Sequence, residues 1–211
     1  MKNGITEIVF ILDKSGSMAG FEGDTVGGFN SVIERHREGE GRAYVSTVLF
    51  SNDSRVVHDR EDITGIRPME RRDFCVGGCT ALYDAIGGAI HHIGNVHKYA
   101  RAEDVPDKTL FFIMTDGMEN ASRIYDQRTV RAQIERQREK YGWEFIFMAA
   151  NIDAEEGAES LGIGRDRAIK FEQTDEGFDD CFYCAAEIFE AVRGGASLDG
   201  EDIKAKRRKR K

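Results

Sequence analysis

Ile8-Val9-Phe10-Ile11-Leu12, followed at once by Asp13-Lys14-Ser15-Gly16-Ser17, is the stretch on which the fold turns. The first five residues are apolar at both odd and even positions and rich in β-branched and aromatic side chains. That is the pattern of a strand covered on both faces, as in a parallel sheet between two helix layers. Leu110 to Met114 and Phe145 to Ala150 read the same way. Tyr44 to Phe50 is a fourth strand, and after Ser51-Asn52-Asp53 the run Arg55-Val56-Val57-His58 predicts an antiparallel edge strand joined by a hairpin. Ala168 to Phe171 is a weaker strand.

Helical periodicity fills the intervals. Helices are expected over Val26–Arg37, Ala81–Val96 and Asp126–Lys140, and in a last helix where Phe178, Cys181, Phe182, Ala185, Ile188, Phe189 and Val192 recur at intervals of three and four. Strands alternating with helices imply a Rossmann-like, doubly wound α/β fold: a mostly parallel sheet with one antiparallel edge strand and helices on both faces. In such sheets ligands bind outside the carboxyl ends of the strands.

The 211 residues suit one domain, and 40% hydrophobic with 32% charged residues is a globular composition. No run reaches the roughly eighteen apolar residues that a membrane span requires. The N-terminal apolar run meets Asp13 too soon for a secretory signal, and a core this large does not depend on disulfides, so a reducing, cytoplasmic setting is expected. The domain is expected over residues 1–195, with a basic tail over 196–211. Seven of the eight residues Lys204–Lys211 are basic, so with −8 overall the remainder carries −15. An acidic body with a basic tail is not the footprint of a sequence-specific DNA reader. The tail is expected to solubilise, or to make weak polyanion contacts, on its own acidic body included.

The residues that carry chemistry stand where the fold predicts a crevice. Asp13, Ser15 and Ser17 follow the first strand, Asp116 follows Leu110–Met114, and Thr80 opens the helix at Ala81. Three hydroxyls and two carboxylates make an oxygen-only set, which suits a hard cation: Mg²⁺ first, with Mn²⁺ or Ca²⁺ behind it. Mg²⁺ keeps several waters and completes its octahedron with an outside oxygen, so a partner carboxylate is the expected ligand.

With these residues in view, the chain resembles the von Willebrand factor A domain family. Asp13-x-Ser15-x-Ser17, Thr80 and Asp116 match its metal-ion-dependent adhesion site, and the resemblance runs from about Thr6 to Val192. Stretches such as Asp116 to Ser122 and Tyr141 to Phe145 are similar to those of stand-alone bacterial members. The resemblance implies one Mg²⁺ at the top of the sheet. Ser15, Ser17 and Thr80 would bind it directly or nearly so, with Asp13 and Asp116 on the metal or its waters. It also implies an adaptor that binds a protein presenting an acidic residue.

A competing class is a Mg²⁺-dependent phosphotransferase or hydrolase with Asp13 as nucleophile. The second acid such enzymes carry two positions on is Ser15 here, and no phosphate loop is present, so no catalytic residue is expected. Cys75-x₃-Cys79 and Cys181-x₂-Cys184 suggest zinc, but cysteines on an apolar stripe are more often small core residues. His91 and His92 read as ordinary surface or core histidines. Glu119, Asn120, Asn151 and Asp153 fall on loops at the metal edge, either as a rim that a partner touches or as ordinary polar loop residues. Lys14 would stand beside the metal or in solvent.

Overall fold

The computed structural model describes residues 4–196 together with Leu198 and Ile203. In chain order the elements are β1 (Ile5–Asp13), α1 (Glu22–Arg37), β2 (Arg42–Phe50), β3 (Ser54–Asp62), α2 (Leu82–Tyr99), β4 (Lys108–Thr115), α3 (Gln127–Tyr141), β5 (Glu144–Ala149), α4 (Ala154–Ser160), β6 (Ala168–Lys170) and α5 (Asp175–Arg193). The sheet order is β3-β2-β1-β4-β5-β6. Every neighbouring pair is parallel except β2–β3, so the expected architecture holds, with its single antiparallel strand at the edge.

Alternation along each buried strand builds two separate cores. Ile8, Phe10 and Leu12 of β1, with Leu110, Phe112 and Met114 of β4, face α1 and α5. Val9 and Ile11, with Phe111 and Ile113, face α2 and α3. One strand therefore supplies both layers, which is why its apolar run shows no polar alternation.

Local chemistry fixes the helix ends. Asp126 caps α3 by accepting from Thr129 N, and Gly142, at φ 66°, closes it in the left-handed conformation. Thr174 caps α5 through Gly177 N. α1 begins one turn earlier than its apolar pattern predicts. Glu22 and Asp24 lie in its first turn and Arg35 and Arg37 in its last, which complements the helix dipole. The seven-residue α4 is too short to show a stripe and has no counterpart in the sequence reading.

The packed domain does not stop at Gly195. Leu198 and Ile203, beyond that expected boundary, are 5% and 2% exposed and join the α1/α5 core. Arg167 Nη2 donates to Leu198 O at 2.5 Å. The basic segment Lys204–Lys211 lies outside the described residues. No helix among the described residues is long and apolar enough to cross a membrane.

Candidate metal centre

β1 connects to β2 on one side of the sheet while β4 lies on its other side, so the carboxyl ends of β1 and β4 form the topological switch point. Asp13 is the last residue of β1, and Asp116 follows the last residue of β4. The register that pairs Leu12 with Met114 brings Asp13 beside Thr115, whose Oγ1 donates to Asp13 Oδ2 at 2.7 Å. Ser15 N donates to Asp13 Oδ1 at 2.8 Å. Ser15 Oγ and Ser17 Oγ lie 3.2 Å apart, and Ser17 Oγ donates to Asp116 Oδ1 at 2.7 Å.

Thr80 arrives from the segment between β3 and α2. Gly77 N donates to Lys14 O and Gly16 N to Gly78 O, which sews this segment to the turn after β1. Gly77 and Gly78 have φ of 154° and 85°, a conformation that side-chain-bearing residues rarely adopt. The resulting convergence is visible at Gly117, where a Cβ would lie 3.6 Å from Thr80 Oγ1 and 3.8 Å from Ser17 Oγ. The structure thus brings all five sequence-identified residues to one edge: four in a single hydrogen-bonded network, and Thr80 next to it.

Electrostatics fits a cation. Asp13 is fully buried, and burial pushes its carboxyl above the usual range, against hydrogen bonds from Ser15 and Thr115 and with a further push from Asp116. Burial likewise raises Asp116, opposed by hydrogen bonds from Ser17 and Gln173. Two desolvated carboxylates share the crevice, and Lys14 Nζ turns instead to Ser51 Oγ at 3.0 Å. A hard divalent ion would supply the missing positive charge, and the hydroxyls and carboxylates are its preferred donors.

Two residues beyond those five, Thr115 and Gln173, complete the network, and a third, Ser122, braces the neighbouring loop. Besides Thr115, Gln173, just past β6, donates through Nε2 to Ser17 O at 2.8 Å and to Asp116 Oδ2 at 2.9 Å. Ser122 N and Oγ both donate to Glu119, and Ser122 Oγ accepts from Asp84 N. Being next to a strand end was the one available signal for Thr115 and Gln173. Ser122 had none.

The four loop residues named at the metal edge all bond within the protein, and Asn120, Asn151 and Asp153 are also exposed. Glu119 is used internally: its carboxylate accepts from Tyr83 N, Ala121 N, Ser122 N and Ser122 Oγ, and so caps the start of α2 from another loop. Asn120 bonds Thr80. Asn151, at φ 53°, holds Gln173 Oε1 through Nδ2 at 2.5 Å, and Asp153 caps α4. Met118 and Ile124, on the loop after β4, are 73% and 80% exposed.

Cys181 and Cys184 are buried on α5, with the Cys181 thiol against Met148 Sδ, whereas Cys75 and Cys79 are exposed in the β3–α2 segment. Among the described residues no group of three or more His, Cys, Asp or Glu is placed to hold a metal. The oxygen centre is of a different kind, since it has two carboxylates and relies on hydroxyls.

No family model matches the chain and no curated protein matches it. Solved structures do. Proximal thread matrix protein 1 from the mussel byssus, in a form with a zinc-occupied MIDAS motif, is 13% identical with a TM-score of 0.60, covering 88% of this chain and 46% of that one. The ArnB paralog VWA2 from Sulfolobus acidocaldarius is 18% identical with a TM-score of 0.54, covering 89% and 45%. A von Willebrand factor type A protein from Catenulispora acidiphila is 14% identical with a TM-score of 0.56, covering 90% and 42%. The chain spans less than half the length of each. These likenesses concern the fold, which is the Rossmann-like α/β fold of the von Willebrand factor A proteins among those structures.

Proposed function

We propose that the chain is a Mg²⁺-dependent protein-binding module, an adaptor whose centre at Asp13, Ser15, Ser17, Thr80 and Asp116 captures an Asp or Glu of its partner. The observation that carries this reading is the convergence of three loops, bringing two buried carboxylates and three hydroxyls to the switch point of the sheet. Mn²⁺ and Ca²⁺ share the donor preference, and the zinc-occupied MIDAS motif of the mussel protein supports divalent binding at such a centre in general. When bound, the ion would supply the positive charge that the two carboxylates lack and an open position for an outside oxygen. Two unit charges about 4 Å apart at an effective dielectric of about 20 attract by about 4 kcal/mol, and a divalent ion formally doubles this. Desolvation removes much of that gain, yet one carboxylate can still decide whether a partner binds.

The burial of Asp13 supports binding over phosphoryl transfer. Both its oxygens already accept hydrogen bonds, from Ser15 N and Thr115 Oγ1, and none of its surface is exposed for in-line attack. The domain is assigned to residues 1–195 in this reading, with Leu198 and Ile203 as a packed extension, and the setting is cytoplasmic.

Calorimetry with Mg²⁺ tests the centre, and capture from native lysate with Mg²⁺ or with EDTA tests the adaptor role. Undiminished Mg²⁺ affinity in a Ser15→Ala, Asp116→Ala double variant sinks the metal assignment. Phosphate-ester turnover that survives re-purification and vanishes in Asp13→Asn sinks the adaptor.

A further inference from the structure

Every carboxylate oxygen of Asp13 and Asp116 already accepts a hydrogen bond. Ser15 N holds Asp13 Oδ1, Thr115 Oγ1 holds Asp13 Oδ2, and Ser17 Oγ holds Asp116 Oδ1. These donors all come from the ends of β1 and β4. Asp116 Oδ2 is held from a third loop: Gln173, between β6 and α5, donates to it from Nε2 at 2.9 Å.

The surroundings fix which way that amide faces. Nε2 also donates to Ser17 O at 2.8 Å, so its two hydrogens end on a carbonyl and a carboxylate. On the other side, Asn151 Nδ2 donates to Gln173 Oε1 at 2.5 Å. Asn151 does so from φ 53°, in the left-handed region where asparagine is enriched. A flipped amide would set its own oxygen against two acceptors. Gln173 therefore presents donors to the crevice, and it acts on the ion's ligands rather than as one of them.

Two consequences bear on which ion fits. Nε2 ties Ser17 O to Asp116 Oδ2 alongside the direct bond from Ser17 Oγ to Asp116 Oδ1, so the loops after β1 and β4 are joined twice and resist spreading. Asp116 Oδ2 is also engaged by Gln173, which leaves Oδ1, the oxygen bonded to Ser17, to serve the ion. Ca²⁺ takes roughly six to eight oxygens at about 2.3–2.6 Å, accepts both oxygens of one carboxylate and suits a yielding site. Mg²⁺ demands about 2.0–2.1 Å and a strict octahedron, and it keeps several waters. Clamped loops that offer single carboxylate oxygens suit the smaller ion.

We propose that Gln173, oriented by Asn151, sets the preference of the centre for Mg²⁺ over Ca²⁺, by clamping Ser17 to Asp116 and withholding Asp116 Oδ2. This rests on the metal reading above and adds to it a positioning residue outside the five oxygen donors.

The test is calorimetric titration of the full chain with MgCl₂ and with CaCl₂, for wild type, Gln173→Leu and Asn151→Gly. Wild type is expected to favour Mg²⁺. Gln173→Leu removes both donors, and is expected to weaken Mg²⁺ roughly tenfold, as loss of an orienting partner does, while Ca²⁺ affinity holds or rises. Asn151→Gly keeps the left-handed backbone and should move the ratio the same way by a smaller factor. It decides the matter if Gln173→Leu lowers the melting temperature. Damage to the fold lowers both affinities together, so their ratio is the readout. Equal losses for the two ions overturn the proposal, as does an unchanged ratio or a wild type that prefers Ca²⁺. A wild type that binds neither ion would overturn the metal centre itself, and this inference with it.

Discussion

Thr80 and Asn120 hold each other by two hydrogen bonds: Thr80 N donates to Asn120 Oδ1 at 2.9 Å, and Asn120 N donates to Thr80 O at 3.0 Å. The loop after β4 thus fixes the backbone of a residue that enters from the β3–α2 segment. Groups that orient ligands without touching the metal typically contribute 10- to 100-fold to affinity. Asn120→Ala is therefore expected to weaken Mg²⁺ binding by roughly that factor while the circular dichroism spectrum stays unchanged. An unaltered calorimetric affinity would show that the backbone bond alone holds Thr80.

Asp13 and Asp116 set a pH dependence of definite sign. Burial raises both above the ordinary 3.8, so in that window the folded chain holds protons that the unfolded chain has released. Their contribution to metal-free stability is therefore greatest at low pH and is lost as pH rises through the folded values. Mg²⁺ needs both ionised, so its apparent affinity should climb over the same range. Urea melts in EDTA are expected to show wild-type stability falling with pH relative to an Asp13→Asn, Asp116→Asn variant. A flat difference would mean that the two carboxylates are not thermodynamically strained.

Asp73 behaves in the opposite sense. Arg67 holds it at about 2, with further bonds from Glu70 N and Arg55. Its contribution is present above 3.8 and lost as pH falls toward about 2. The shift corresponds to about 2 kcal/mol at most, and about 1 after allowing for solvent screening at the half-exposed Arg67. Asp73→Asn should lower stability at neutral pH by that amount and leave it unchanged in strong acid. It should also loosen the segment that carries Thr80, readable as faster amide exchange at Cys79 and Thr80.

The strands were legible in the sequence, and so was the arrival of Asp13 and Asp116 at one edge of the sheet, for a shared physical reason. A strand buried on both faces must be apolar throughout, so the first polar residue after it, Asp13 or the Thr115-Asp116 pair, marks the strand end where this fold puts its crevice. Gln173 was not legible as a site residue and Asn120 only as a residue of the rim, because their bonds to Asp116 and Thr80 exist only across loops far apart in the chain. Glu119 shows the same limit. Its carboxylate on Tyr83 N does the work of a helix cap, yet no residue next to the start of α2 announces it. Leu198 escaped because Gly194-Gly195 reads as the end of a helix, and a helix end is not the end of a core.

That last point gives a prediction about the C-terminus. Leu198 and Ile203 are buried against the α1/α5 layer, and truncating such a side chain to alanine typically costs about 2–5 kcal/mol. Deleting 204–211 spares both and should leave the melting temperature and Mg²⁺ affinity unchanged, while deleting 197–211 should lower the melting temperature markedly. Leu198→Ala with Ile203→Ala should reproduce the larger loss in the full-length chain, which separates packing from the removal of charge. Any affinity of Lys204–Lys211 for RNA or anionic lipid should fall steeply with salt, because counterion release drives such contacts. A large loss of melting temperature on removing 204–211 alone would instead make the basic segment a partner of the acidic body. Salt-insensitive RNA binding would require a folded nucleic-acid site, and the acidic composition of the remaining chain argues against one.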